Sequence, residues 1–286
     1  MTDQQTELPI DLPESQPDPD TGDAAMAGDD WDGAQDDLPN SLAENVLDDW
    51  IVYPTMALGV LATTFFPILL GQQLCLPLLS AAVLIPMFLW ALRQGRPRKA
   101  VALALFWVVV QSLSVIAASL LFADTAALAV HGGLEYRTAW LAWSEGGPPV
   151  QMAPALDYGR QVVDLALYAV AMALTGGVGG ILLLTVALDR FNFTVASLLA
   201  GAQNPVLLAI AAWPLWMIVR LVGYLVVGAV LAEPVANMDL RPAYLAAWLQ
   251  ARKRLLLAGL GAILLGIVLQ ALLTPLYQTI LQNAIG

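Results

Sequence analysis

The sequence predicts an all-α fold: a polytopic helical membrane protein of about six transmembrane helices, with seven as the alternative count, behind a disordered acidic N-terminal tail. Three observations carry this reading. Of 286 residues, 59% are hydrophobic and 12% charged, about half the charged share of a soluble domain. The apolar residues fall in runs long enough to cross a hydrocarbon core about 30 Å thick. Charge is segregated too. Residues 1–49 hold 15 of the 23 carboxylates and none of the 12 basic residues, so a tail of −15 precedes a body of +4.

Residues 1–40 are rich in Asp, Pro and Gly and poor in large apolar side chains. Such a stretch cannot bury enough surface to offset its ordering entropy. It reads as a solubilising tail, with a tether for a basic partner surface as the alternative. The start, Met1-Thr-Asp-Gln-Gln, lacks the basic residues and apolar core of a secretory signal, so the internal spans are expected to drive insertion. Ser41 and Glu44 fit a capping box. Leu42, Val46 and Trp50 then share one helix face leading into the bilayer. Residues 41–286 form the transmembrane domain.

Trp50–Gly71 is the first expected span, with Trp50 and Tyr53 at headgroup level. Gln72-Gln73 makes a short turn, and Leu74–Leu92 returns, bent at Pro77 and Pro86. The loop Arg93–Lys99 carries four of the twelve basic residues. Short basic loops stay cytoplasmic, which places the acidic tail on the cytoplasmic side as well. Ala100–Phe122 is the third span. Its Trp107, Gln111 and Ser114 share a face expected to meet other helices. Residues 123–161 form an external loop, in which Tyr136, Trp140 and Trp143 are spaced like one side of an interfacial helix. Gly146-Gly-Pro-Pro149 breaks it. Val162–Leu188 is the fourth span. Within it Gly176 and Gly180 have the small-xxx-small spacing of a close helix contact and offer a face for a homodimer.

Beyond Arg190 two topologies compete. In one, Phe191–Gln203 lies at the interface and Asn204-Pro205 opens a single crossing to Ala232, giving six spans. The basic stretch Arg241–Arg254 then falls outside, against the positive-inside tendency. In the other, the chain turns around Trp213-Pro-Leu-Trp216, giving seven spans and returning the basic stretch to the cytoplasm. That version interrupts a helix at Gln203-Asn204-Pro205, tolerable only against protein or a water-filled cavity. The single crossing is favoured, since an uncompensated break at depth is the larger local penalty. Residues 239–254 carry Leu245, Trp248 and Leu249 beside a basic end, the pattern of an amphipathic surface helix. Leu255–Thr274 is the last span, with Ala258, Ala262 and Gly266 as a packing seam continued by Gln270.

Little catalytic chemistry is encoded. Cys75 and His131 are single residues of their type, so an intrachain disulfide, a cysteine zinc site and an H-E-x-x-H motif are all excluded. His131 with Glu135 supplies only two ligands and reads as a loop histidine. Gly176-Gly-Val-Gly-Gly180 lacks the Gly-Lys-Ser/Thr ending of a phosphate loop, and no G-x-S-x-G elbow occurs. Asp164 and Asp189 are expected near opposite ends of the fourth span, roughly 37 Å apart, too far for an aspartyl dyad. No enzymatic activity, cofactor, metal or nucleic-acid partner is expected.

One group stands out. Arg220 is a guanidinium in mid-span, which is costly and usually functional. Trp213, Trp216 and Tyr224 share its helix face and could shelter it. The expected ligand-binding set is Arg220, Trp216, Tyr224 and Gln111. The structural alternative is an Arg that snorkels or donates to carbonyls. The function expected is therefore a non-enzymatic scaffold or accessory subunit of the cytoplasmic membrane. Its rival is a permease or carrier component for an anionic or amphipathic substrate, with Arg220 as the binding charge. Besides the lipid bilayer, the expected partners are anionic lipid at Arg252, Lys253 and Arg254 and a homodimer or membrane complex.

Overall fold

The computed structural model describes residues 51–144 and 158–285, with side chains for 51–143 and 162–285. The acidic tail 1–40, the Ser41/Glu44 cap and the Gly146–Pro149 breaker lie outside the described residues. The elements are α1 Val52–Leu70, α2 Cys75–Arg93, α3 Pro97–Leu121, α4 Ala123–Ala129, α5 Gly133–Ser144, α6 Tyr158–Thr175, α7 Val178–Gly201, α8 Pro205–Ala211, α9 Leu215–Ala236 and α10 Pro242–Ile285. Among the described residues six runs are long and apolar enough to cross a membrane: α1, α2, α3, α7, the run Pro205–Ala236 through α8 and α9, and α10. The helical membrane class read from the sequence is what the chain forms.

Lipid leaves no partner for exposed backbone groups, so each apolar run closes its own ladder as a helix. The turns follow local chemistry. Gly71 takes a left-handed φ of 63° and ends α1. Its N–H reaches Ile68 O, and that of Gln72 reaches Pro67 O, both at 3.1 Å, the paired bonds of a Schellman end. Pro97 opens α3, where a missing N–H costs nothing. Asn204 caps α8 by accepting from the Leu207 N–H at 3.0 Å, so the expected start at Asn204-Pro205 is where the helix begins.

The fourth expected span is not one helix. Gly176 and Gly177 adopt φ of 62° and 105°, and the chain folds back there. Gly180 lies against Met172, which a straight helix would hold roughly 12 Å away. Thr175 fixes the turn. Its hydroxyl donates to Ala171 O at 2.6 Å and accepts from the Gly179 N–H at 2.7 Å. The apolar run hid this reversal, because glycine supplies the left-handed conformation without a break in hydropathy. Gly176 and Gly180 therefore share no helix face. Both are buried inside the chain, so they offer no surface to a second copy.

Register follows from pairs along the helices. Tyr168 meets Tyr224 and Gly228, and Gly176 meets Val235 and Ala236, so α6 runs parallel to α9. Gly223 meets Gly259 and Ile263, and Arg220 meets Gly266, so α10 runs antiparallel to α9. Arg93 donates to Ala236 O at 3.3 Å and Arg252 to Gly95 O at 3.1 Å. Both basic segments therefore sit at one end of the bundle. This corrects the arrangement that put Arg241–Arg254 opposite the Arg93–Lys99 loop. The extra reversal comes at Gly176-Gly177 rather than at Trp213–Trp216, while 205–236 stays a single run as favoured.

Two further expectations change. The stretch 239–254 is not a separate surface helix, since α10 is continuous for 44 residues. No Gly or Pro interrupts it between Pro242 and Gly259. At 1.5 Å per residue it is about 66 Å long, over twice the hydrocarbon thickness. Its buried seam is Gly259, Ile263, Gly266 and Gln270, so Ala258 is exposed and Ala262 half-buried rather than both lining the contact. In the expected external loop, α5 turns its aromatic side onto protein. Trp140 and Trp143 are buried with Leu198, Leu208, Trp216 and Tyr277 at the end of the bundle away from the basic loops.

Candidate functional site

Two buried polar sites lie in this frame. The first surrounds Arg220 on α9. Gly266 lets α10 approach so closely that a Cβ there would come within 2.7 Å of Arg220 Cγ and 2.9 Å of Trp216 O. One turn further, Gln270 presents its amide oxygen, and Arg220 Nη1 donates to it at 2.8 Å. Gln270 itself is 1% exposed. The neighbouring rings pack on one another. Trp216 meets Tyr277 at 5.0 Å, Tyr224 meets Tyr168 at 5.4 Å, and Trp213 meets Phe191 at 4.9 Å, all edge to face. From α5, the Tyr136 phenol is pushed up to about 12 by burial, against the opposing pull of the Arg220 and Arg190 charges.

The second site lies where α1, α2, α3 and α7 meet. Gln111, fully buried, is its hub. Its Nε2 donates to Asp189 Oδ1 at 2.9 Å and to Ser80 Oγ at 3.0 Å, while its Oε1 accepts from Thr64 Oγ1 at 3.1 Å. Trp107 Nε1 donates to Ser80 O at 3.1 Å and fixes α2 against α3. Gln111 thus belongs with Asp189. No described hydrogen bond joins it to the Arg220, Trp216 and Tyr224 stripe.

Asp189 enters the sequence pattern only as half of an excluded dyad, and the fold gives it a different place. The reversal at Gly176-Gly177 removes the straight-helix separation from Asp164. Each carboxylate is now twelve residues from the turn (164 to 176, 177 to 189). They still form no dyad, because Asp164 is exposed while Asp189 is 3% exposed and turned to Gln111. Thr185, Asp189 and Asn192 follow i, i+4, i+7 spacing on α7, a polar stripe that could have been read from the sequence. All three are buried. Asp189 Oδ2, both polar atoms of Asn192 and the hydroxyls of Ser112 and Ser119 make no hydrogen bond within the described residues. Each such atom costs about 1–3 kcal/mol.

Comparison with family models, characterised proteins and solved structures finds no match for this chain. The described residues include a small pocket lined by Leu76, Pro77, Ala129, Val130, His131, Val186 and Asp189. It lies under the turn between α4 and α5, where His131 is exposed. Arg190 Nε donates to His131 O at 2.7 Å and holds that turn down. The next-door cation is therefore directed at a backbone carbonyl and not at Asp189.

At the basic end, Glu233 is 4% exposed at its side chain and pairs with Arg252. Arg252 donates from Nη2 to Oε1 at 2.7 Å and from Nε to Oε2 at 2.9 Å. Trp248 Nε1 adds a third donor at 3.3 Å. Arg252 thereby joins α10 to α9 and to the Gly95 turn. Of the three residues expected to meet anionic lipid, only Lys253 and Arg254 are exposed. Lys99 lies over the Trp90 ring at 4.4 Å, a cation–π contact at the same end of the bundle.

Proposed function

We propose that this integral membrane protein is a non-enzymatic scaffold or accessory subunit of an assembly in the cytoplasmic membrane. Its acidic N-terminal tail would lie on the cytoplasmic side, and Lys253 and Arg254 would meet anionic lipid. The observation that carries the reading is the bond from Arg220 to Gln270 across the Gly266 approach. The most conspicuous intramembrane charge acts between two of the chain's own helices. Arg252 does the same at the basic end, through Glu233 and Gly95. Both basic segments at one end support the cytoplasmic assignment of that end.

Arg220→Gln is the discriminating variant. Under the scaffold reading it lowers the amount of folded protein in the membrane and shrinks any native complex. Under the carrier reading, Arg220 must exchange Gln270 for an anionic or amphipathic substrate. The same variant then accumulates normally and loses uptake. Normal abundance and an unchanged native complex would sink the scaffold reading.

A further inference from the structure

We propose that Asp189 is a binding site for a monovalent cation, a proton or an alkali ion, entered through the pocket beneath His131. The inference stands apart from the scaffold reading and does not use Arg220. Asp189 is the twelfth residue of the 24-residue α7, roughly 17 Å along its axis from Val178. There its carboxyl is 3% exposed, with one neutral donor on Oδ1 and no hydrogen bond on Oδ2. An ionised carboxylate taken out of water without a counter-charge costs several kcal/mol. The carboxyl must therefore carry a proton or accept a cation, and the site has the parts for either.

The charged and titratable groups around it are few. On α7, Arg190 is committed to His131 O. From α3, Gln111 donates a neutral N–H, and α1 and α2 contribute only the Thr64 and Ser80 hydroxyls to the same network. The α4–α5 turn contributes His131, which shares the pocket wall with Asp189. On α5, Glu135 is exposed and Tyr136 lies with the Arg220 region. On α6, Asp164 is exposed and Tyr168 packs on Tyr224.

One turn along the same helix, Asn192 Oδ1 is buried without a hydrogen-bond partner and is the nearest candidate in sequence for a second oxygen. His131 Nδ1 lies 3.4 Å from Gln73 Oε1. His131 both lines the pocket and is exposed, which suits it to pass a proton between water and Asp189. Proton uptake is balanced simply: hydronium delivers one proton to the carboxylate, forming the acid and water. An alkali ion would instead shed water and take carboxylate and amide oxygens.

Carbodiimide modification tests both arms on the full chain in detergent. The reagent needs the acid form, whose proton passes to the carbodiimide nitrogen as the carboxyl oxygen adds to carbon. Arg160 and Arg190 frame a tryptic peptide, residues 161–190, whose only carboxylates are Asp164 and Asp189, and fragment ions separate the two. Labelling of Asp189 is expected, falling about tenfold per pH unit above its midpoint as for one proton. Suppression by sodium at fixed pH would identify an alkali ion; indifference to sodium would identify the proton. Either supports the site.

Val186→Phe, which narrows the pocket, should slow labelling at Asp189 several-fold and leave Asp164 unchanged. Asp189→Glu should restore labelling if Asp189→Asn fails to accumulate. Absence of label at Asp189 at every pH, with Asp164 labelled in the same peptide, would overturn the site. An unchanged rate in Val186→Phe would overturn the route.

Discussion

At the α9–α10 contact a guanidinium meets an amide oxygen, and at the α3–α7 contact a carboxylate meets an amide N–H. Both pairs are set among apolar helices, both use a glutamine as partner, and both join helices that a bilayer would not otherwise hold together. They differ in what surrounds the pair. Arg220, half-buried, is flanked by Gly266, Trp216 and Tyr224, and the two rings pack on Tyr277 and Tyr168. Asp189 lines a pocket and its Oδ2 makes no hydrogen bond, while polar atoms without a hydrogen bond occur beside both pairs, among them Asn192 on α7 and Trp216 Nε1 and Tyr168 Oη in the ring cluster. Close packing turns a buried charge into a clasp. The adjoining pocket is what would let the other charge exchange a ligand.

The largest effect should come from prising the clasp apart. At Gly223 a Cβ would meet Gly259 O and Ile263 Cγ1 at 2.7 Å, and at Gly266 it would meet Arg220 Cγ at the same distance. Backbone carbonyls cannot give way, so Gly223→Leu is expected to cost about 3 kcal/mol or more by overpacking. Thermal unfolding in detergent measures this, with Gly261→Leu as the control. A Cβ at Gly261 meets nothing within 4 Å, and a change below about 0.5 kcal/mol is expected there. Equal losses in the two variants would mean that α9 and α10 do not meet as described.

Gln270→Leu is next. It leaves the Arg220 guanidinium without the oxygen at 2.8 Å, and a lost hydrogen bond to a charged group costs about 1.5–3 kcal/mol. Adding Arg220→Met should recover part of that loss, because the guanidinium that lost the Gln270 oxygen goes with it. A double variant no better than Gln270→Leu alone would show that Gln270 acts by packing.

Glu233→Gln provides the reference pair with full counter-charge. Arg252 is 29% exposed at its side chain, so solvent screens it. The loss is expected at about 1–2 kcal/mol, below that of a fully buried pair. The loss should shrink in high salt, whereas that of Gln270→Leu should not. Equal salt dependence would place both sites in the same environment.

The sequence made the clasp visible and hid the open site, and the reason is local. Arg220 breaks an apolar run, so hydropathy points at it directly. Asp189 sits beside Arg190 where the run Val162–Leu188 ends, and a straight helix makes it a terminal residue. Only the backbone angles of Gly176 and Gly177 move it to mid-helix. The polar residue at that turn is Thr175, whose hydroxyl bonds back to Ala171 O and across to the Gly179 N–H, and a single threonine in an apolar run does not by itself mark a reversal. The seam on α10 was legible to within one residue, as Gly266 and Gln270 fall where the four-residue repeat puts them. Ala258 fails because a 3.6-residue helix drifts from that repeat, and Gly259 takes its place. The aromatic side of α5 was legible as a stripe. Its partner was not, because Trp140 meets Tyr277 from the far end of the chain.

The smallest effect is expected at Asp189→Asn, and it separates the two regions most sharply. An asparagine amide keeps the volume and can still accept from Gln111 through its oxygen. It also removes a charge that, when ionised, has no basic partner among the described residues. The change at neutral pH should be within about 1 kcal/mol, since replacing a buried ionisable group by a neutral isostere is often neutral or stabilising. Gln111→Leu carries the comparison further. It strands Thr64 and Ser80 as well as Asp189, and should cost about 2 kcal/mol. If Asp189 is bound to Gln111 as a neutral acid, the Gln111→Leu loss should barely change in the Asp189→Asn background. If it is bound as a carboxylate, the loss should fall by about 1 kcal/mol, the extra strength of a charged acceptor. That coupling, read from the four unfolding midpoints, reports which form of the carboxyl the bundle holds. A large loss in Asp189→Asn alone would make the α3–α7 contact a second clasp and erase the distinction between the two regions.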